Sequence, residues 1–160
     1  MMVVSNTSPI INLAAISRLS LLQALYDNVY IPRAVYVEIT RFPNQPGAKE
    51  VSAYDWITVQ SCLHSEVAVA LQGELDAGEA EAIALALERE ALLLIDERLG
   101  RRAASRLGVR RMGLLGVLVE AKQKGQVQTV RPLLQELRQD AGFWVSNALY
   151  NRILKHVNED

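Results

Sequence analysis

One cysteine, Cys62, stands in a chain of 160 residues, so no internal disulfide can form. That agrees with a reducing compartment and makes a cytoplasmic protein the expectation. Long apolar runs are missing too: polar residues break every hydrophobic stretch well short of the ~20 residues that span a bilayer. The opening residues, MMVVSNTSP, have neither the charged head nor the long apolar body of a signal peptide. There is no excess of positive charge. The formal net charge of -1 argues against a uniformly basic nucleic-acid coat, while a local basic patch stays open. A Gly-rich phosphate loop, a Cys/His zinc pattern and a G-x-S-x-G elbow are all absent, which removes three common kinds of site. The two histidines stand alone, His64 in a polar stretch and His156 near the end, and both read as surface residues. No internal repeat or low-complexity tract interrupts the chain.

What is present is a core. Half the residues are hydrophobic, which excludes global disorder, and the length suits one domain over residues 1–160. Short Val/Leu/Ile runs at Met2–Ser5, Val29–Ile31, Trp56–Val59, Ala91–Ile95 and Val109–Met112 read as buried strands. Helical spacing of apolar residues alternates with them over Ile10–Ala15, Leu19–Tyr26, Arg33–Thr40, Glu66–Gln72, Ala77–Glu90, Glu97–Leu107 and Leu114–Lys124. Pro32 opens the third of these helices, and Gly78 introduces the fifth. The stretch RFPNQPGAK, Arg41–Lys49, reads as a loop, either a connector or a flap. From about residue 126 only helices follow, one opened by Pro132 and a last one over Ser146–His156. Trp144 and Phe143 are expected to pack on the core. Strands alternating with helices predict an α/β fold with a central parallel sheet, whose carboxyl ends lie along one edge.

Four polar positions fall where apolar segments stop: Asn6, Glu38, Glu79 and Asp96. Three carboxylates and an amide at one sheet edge suit a divalent cation that keeps part of its water shell. Taken singly, each acid has a plainer role. Glu79 in a first helical turn complements the helix dipole, and Asp96 can cap the helix that follows it. Arg98, Arg102 and Arg106 recur every fourth residue, with Arg101 beside them. As a helical stripe they either contact nucleic-acid phosphates or sit solvated beside acids such as Glu97.

The segments SNTSPII, GEAEAIALA, IDERLGRRAA and GLLGVLVEAKQKG, in that order over about Val3 to Gly125, resemble the PIN-domain superfamily. More narrowly, they are similar to the group of small prokaryotic proteins related to VapC-type toxins. The resemblance implies a three-layer α/β/α sandwich that gathers acids around Mg²⁺ or Mn²⁺ and cleaves single-stranded RNA. Matched by motif, the metal and catalytic positions become Asn6, Glu38, Glu79 and Asp96, with Glu97 competing for the last. Thr7 and Ser8 match the small hydroxyl residues after the first acid, and with Arg98, Arg101 and Arg102 they are the expected nucleic-acid contacts. A small antitoxin protein and a second copy of the chain are the implied partners. The family's first acid falls on Asn6, an amide, which keeps a ligand oxygen and loses a charge. An active ribonuclease weakened at Asn6, a non-catalytic nucleic-acid-binding or regulatory protein, and a purely structural partner-binding domain are the three readings.

Overall fold

A computed structural model of the chain describes residues 1–160. Five short strands form its sheet: β1 (Val3–Ser5), β2 (Val29–Ile31), β3 (Ile57–Val59), β4 (Leu92–Leu94) and β5 (Arg111–Met112). All neighbours pair in parallel, in the order β3-β2-β1-β4-β5. Parallel pairing demands a crossover between successive strands, and each crossover carries at least one helix. The helices are α1 (Thr7–Ala15), α2 (Ser20–Tyr26), α3 (Arg33–Thr40), α4 (Ala48–Ala53), α5 (Glu66–Leu71), α6 (Ala77–Arg89), α7 (Arg98–Arg106), α8 (Leu114–Gln123), α9 (Arg131–Gln139) and α10 (Asn147–His156).

Side chains alternate across a strand, and here the alternation divides two cores. Val3, Val29, Ile31, Leu92 and Leu94 face a larger core shared with α1, α2, α8, α9 and α10. Val4, Leu93 and Ile95 face a smaller one shared with α5, α6 and α7. A sheet buried on both faces explains why the strands read as unbroken apolar runs. The result is the expected three-layer α/β/α sandwich. The helices after residue 126 lie on the larger core through Val130, Leu133, Leu134, Leu137 and Leu154.

The order of strands places the site. From β1 the chain winds outward to β2 and β3, then returns across β1 to β4 and β5. The winding reverses between β1 and β4, and open α/β sheets leave a crevice at the carboxyl ends of such a pair. The two strands end level, with Ser5 beside Leu94 and the Asn6 N–H donating to the Leu94 carbonyl at 2.9 Å.

Several expectations change. The loop after α3 ends at Gly47, because Ala48–Ala53 is helical. Gly47 takes φ +92, open to a residue without Cβ, and its N–H donates to Glu50 Oε2 at 2.8 Å, which starts α4. The prolines and glycine of RFPNQPGAK read as a loop through Lys49, and the short helix that follows them was missed. Helix α6 is capped by Asp76, whose carboxylate accepts from the Glu79 N–H, and Gly78 lies inside the first turn. Phe143 packs partly on the larger core, but Trp144 is 82 % exposed. The apolar residues Leu19, Leu21 and Leu22 of the α2 region are buried within the chain, while Leu25 and Tyr26 are half-buried. Both histidines are on the surface. No helix is long and apolar enough to cross a membrane.

Candidate metal centre

Asn6 follows β1 and occupies the cap position of α1, yet its side chain makes no capping hydrogen bond. It reaches across the crevice instead, donating from Nδ2 to Glu97 Oε2 at 3.0 Å. The residue is 2 % exposed, and its Oδ1 is buried without any partner. A helix start that gives up its cap, and strands a buried carbonyl oxygen as well, has its side chain committed elsewhere.

Thr7 begins α1 and ties α3 to it: its hydroxyl donates to Glu38 Oε2 at 2.9 Å. The same carboxylate oxygen leans on the first turn of α6, where a Cβ on Gly78 would come within 3.0 Å of it. Ser8 turns along α1, accepting from Asn12 Nδ2, and has no hydrogen bond to any of the acids.

Glu79 follows on α6 and is 9 % exposed. Burial chiefly, then the hydrogen bond and charge of Asp76 and the charge of Glu97, push its carboxyl up to about 8. A surface acid serving only the helix dipole would not be buried among other acids, so that simpler role does not account for it. Its Oε2 packs against Gly100 of α7, where a Cβ would lie 2.9 Å away.

Asp96 comes two residues after β4. It does not cap α7; Glu97 holds that position. Asp96 Oδ1 instead accepts the Leu114 N–H at the start of α8, at 2.9 Å, and a Cβ on Gly113 would come equally close to it. Its Oδ2 is buried with no partner. Burial, first, pushes this carboxyl up to about 6; Glu97 adds to the rise, while the Leu114 N–H and Arg101 oppose it.

A common construction emerges. Glu38, Glu79 and Asp96 each rest on a glycine at the start of a different helix, Gly78 of α6, Gly100 of α7 and Gly113 before α8. Without a Cβ these turns let a carboxylate approach the positive end of a helix. The acids are thus brought to one edge but not closed on a point: no three His, Cys, Asp or Glu side chains are grouped to hold an ion. Even so, the donor set fits a hard divalent cation. It is all oxygen, two buried oxygens lack any partner, and none of the acids at this edge forms an ion pair.

Asp76, Gly100 and Gly113 were not singled out from the sequence, and Gly78 was read only as a helix start. Asp76 had a signal, since Asp76 and Glu79 have the spacing of a capping pair. The glycine contacts span distant segments and have none.

The arginines of α7 divide. Arg106 pairs with Glu74, and the neighbouring Arg111 donates to Ser105 Oγ. Arg98, Arg101 and Arg102 are exposed and form no ion pair. Helix α7 has no acid in its first turn, and Arg98, its first residue, stands where the dipole disfavours a cation.

Comparison with known proteins agrees with this architecture. None of the curated proteins matches the chain. Among solved structures, a PilT N-terminus domain protein from the hyperthermophilic archaeon Sulfolobus solfataricus P2 superposes with a TM-score of 0.59 at 21 % identity, covering 76 % of this chain and 93 % of the other. At that identity the likeness establishes the fold. A family model described as PIN domain, DUF3368, matches residues 2–159, including the C-terminal helices that the short motifs did not reach. PIN domains generally bind divalent metal ions and commonly bind nucleic acids, and theirs is a nuclease-type fold. With its parallel sheet wound about β1, its acids at the carboxyl edge and a family match over nearly its whole length, this chain belongs to the PIN-domain family.

Proposed function

We propose that the protein is a divalent-metal-dependent endoribonuclease of the toxin type, acting on single-stranded RNA and weakened by Asn6. The observation that carries this is the pair of buried, unpartnered oxygens, Asn6 Oδ1 and Asp96 Oδ2, on the two sides of the β1–β4 crevice. Asn6, Glu38, Glu79 and Asp96, with Glu97, are the residues that would hold Mg²⁺ or Mn²⁺. When bound, the ion supplies a Lewis acid for a phosphoryl oxygen and a water of lowered pKa.

The chain's own residues do the rest. The Thr7 hydroxyl orients Glu38, and the Leu114 N–H orients Asp96. Arg98, Arg101 and Arg102 neutralise phosphates on the α7 side. Asn6 supplies an oxygen without charge, and its amide group holds Glu97. No serine, cysteine or histidine is poised as a nucleophile, which suits hydrolysis by water. The same reading includes a small antitoxin protein as partner and a homodimer as assembly, the latter tested by light scattering.

A second reading rests on Asn6: a non-catalytic nucleic-acid-binding protein that keeps the fold. The missing charge and the engagement of Glu97 both favour it. A fluorogenic single-stranded RNA, titrated with Mg²⁺ and Mn²⁺, separates the two. The ribonuclease shows metal-dependent cleavage that Asp96→Asn abolishes. Binding without cleavage at any metal concentration rejects the enzyme and keeps the second reading.

A further inference from the structure

Helix α3, which packs on α6 as α7 does, presents a second set of unpaired cations beside the acids. Arg33, Val37 and Arg41 fall at four-residue spacing along it, and together with Glu38, Asp76, Gly78 and Glu81 they line a cleft of about 460 Å³. Its acids are all committed to donors within the protein. Glu38 accepts from Thr7, Asp76 from the Glu79 N–H, and Glu81 from the Ala34 N–H at 3.2 Å. Neither guanidinium has a hydrogen bond or an ion pair, and both are exposed. Two cations left free within reach of three acids are available to an incoming anion. Eight residues of helix set them about 12 Å apart, too far for one phosphate group. Phe42, next in the chain, is 62 % exposed, and Val37 between the arginines is 47 % exposed.

We propose that α3 is the second wall of a single-stranded nucleic-acid path. Arg33 and Arg41 contact two backbone phosphates, and Phe42 stacks on an unpaired base. The cleft floor at Glu38 and Gly78 belongs to the carboxylate edge, so a strand lying in it passes over the first turn of α6 toward the arginines of α7. Guanidinium groups give sequence-independent phosphate contacts, and an exposed aromatic ring accepts any base face. The inference rests on the reading of single-stranded RNA as substrate and adds how the strand is held.

The test is fluorescence anisotropy of a labelled oligouridine at several salt concentrations, in EDTA so that cleavage plays no part. Each released phosphate contact on a single strand lowers the slope of log K against log[salt] by about 0.7. Arg33→Ala with Arg41→Ala should therefore reduce the slope by about 1.4, and the double lysine variant should retain it. Phe42→Ala should weaken binding by about fivefold to a hundredfold with the slope unchanged. Arg110→Ala, at the amino-terminal edge of the sheet, is the control and should leave both quantities unchanged. Tight wild-type binding with an unaltered slope in the double alanine variant overturns the α3 path and leaves the proposed function standing. Equal competition by a fully paired RNA duplex overturns the stacking role of Phe42. Absence of wild-type binding at low salt, in EDTA and equally with Ca²⁺ present in its place, overturns the RNA reading itself.

Discussion

Replacing Asn6 by Asp tests the crevice most directly, because the structure assigns the amide's two ends opposite fates. Nδ2 donates to Glu97 Oε2 at 3.0 Å, while Oδ1 is buried and unpartnered. An aspartate loses the donor and sets a second negative charge at that distance. Two unit charges 3 Å apart repel by about 5.5 kcal/mol at an effective dielectric of 20 and about 1.4 in bulk water. Glu97 is exposed, so screening leaves an intermediate value of about 3 kcal/mol. Losing a hydrogen bond to a charged acceptor adds about 1.5 kcal/mol. Protonating the new carboxyl at pH 7 costs about 4 kcal/mol, which caps the total near that figure. The cap shrinks by about 1.4 kcal/mol for each unit the pH falls toward 4. For a chain of this size, the metal-free variant should melt on the order of 10 °C below wild type at pH 7 and approach it at pH 5. Mn²⁺ offsets most of that loss, since a ligand at a hundred times its Kd returns about 2.7 kcal/mol. The assay is thermal melting at pH 5, 7 and 8, in EDTA and in Mn²⁺, with RNA cleavage measured alongside. Wild-type melting in EDTA at pH 8 would refute the Asn6–Glu97 contact. A large penalty in EDTA that Mn²⁺ relieves no more than in wild type would refute a metal facing Asn6 Oδ1.

Further outcomes follow from the same contacts. Asp96→Asn keeps an acceptor for the Leu114 N–H and removes a buried charge, so melting in EDTA at pH 8 should rise by about 2 kcal/mol, roughly 4–8 °C, while the response to Mn²⁺ disappears. Glu79 and Asp96 both titrate above their ordinary range, so the stability of their neutral forms is full below about pH 4 and is lost as pH rises through about 6 for Asp96 and about 8 for Glu79. Melts in EDTA should therefore fall steadily between pH 5 and pH 9, and a flat profile would contradict the burial of these acids. Gly100→Ala places a methyl 2.6 Å from Ile95 Cδ1 and 2.9 Å from Glu79 Oε2, so it should cost about 1–3 kcal/mol and weaken Mn²⁺ binding measured by calorimetry. Thr7→Val should leave the fold intact and lower metal affinity through loss of the bond that orients Glu38, which the same calorimetry detects.

Much of this molecule was legible in the order of its residues, because local rules govern what was read. Apolar runs such as Leu92–Leu94 read as buried strands, Pro32 can open a helix, and alternation of the two kinds of element implies parallel pairing with crossovers. The polar residues at strand ends, Asn6 and Asp96, therefore had to share an edge with one another, and motif resemblance supplied the family. Direction and partner were another matter. That Asp96 serves α8 and not the helix beside it, that Asn6 leaves its cap for Glu97, and that Glu38 is held by Thr7 are contacts between residues 18, 91 and 31 positions apart. So are the three glycines that admit the carboxylates to the starts of three helices. The exposure of Trp144 was a tertiary outcome as well, since its neighbours Phe143 and Val145 pack inward and leave it no buried place. Composition and periodicity determine which segments are buried and what they become. Which side chains meet at the edge depends on how β1 and β4 come to lie side by side, and only the folded sheet, with its reversal of winding between them, decides that.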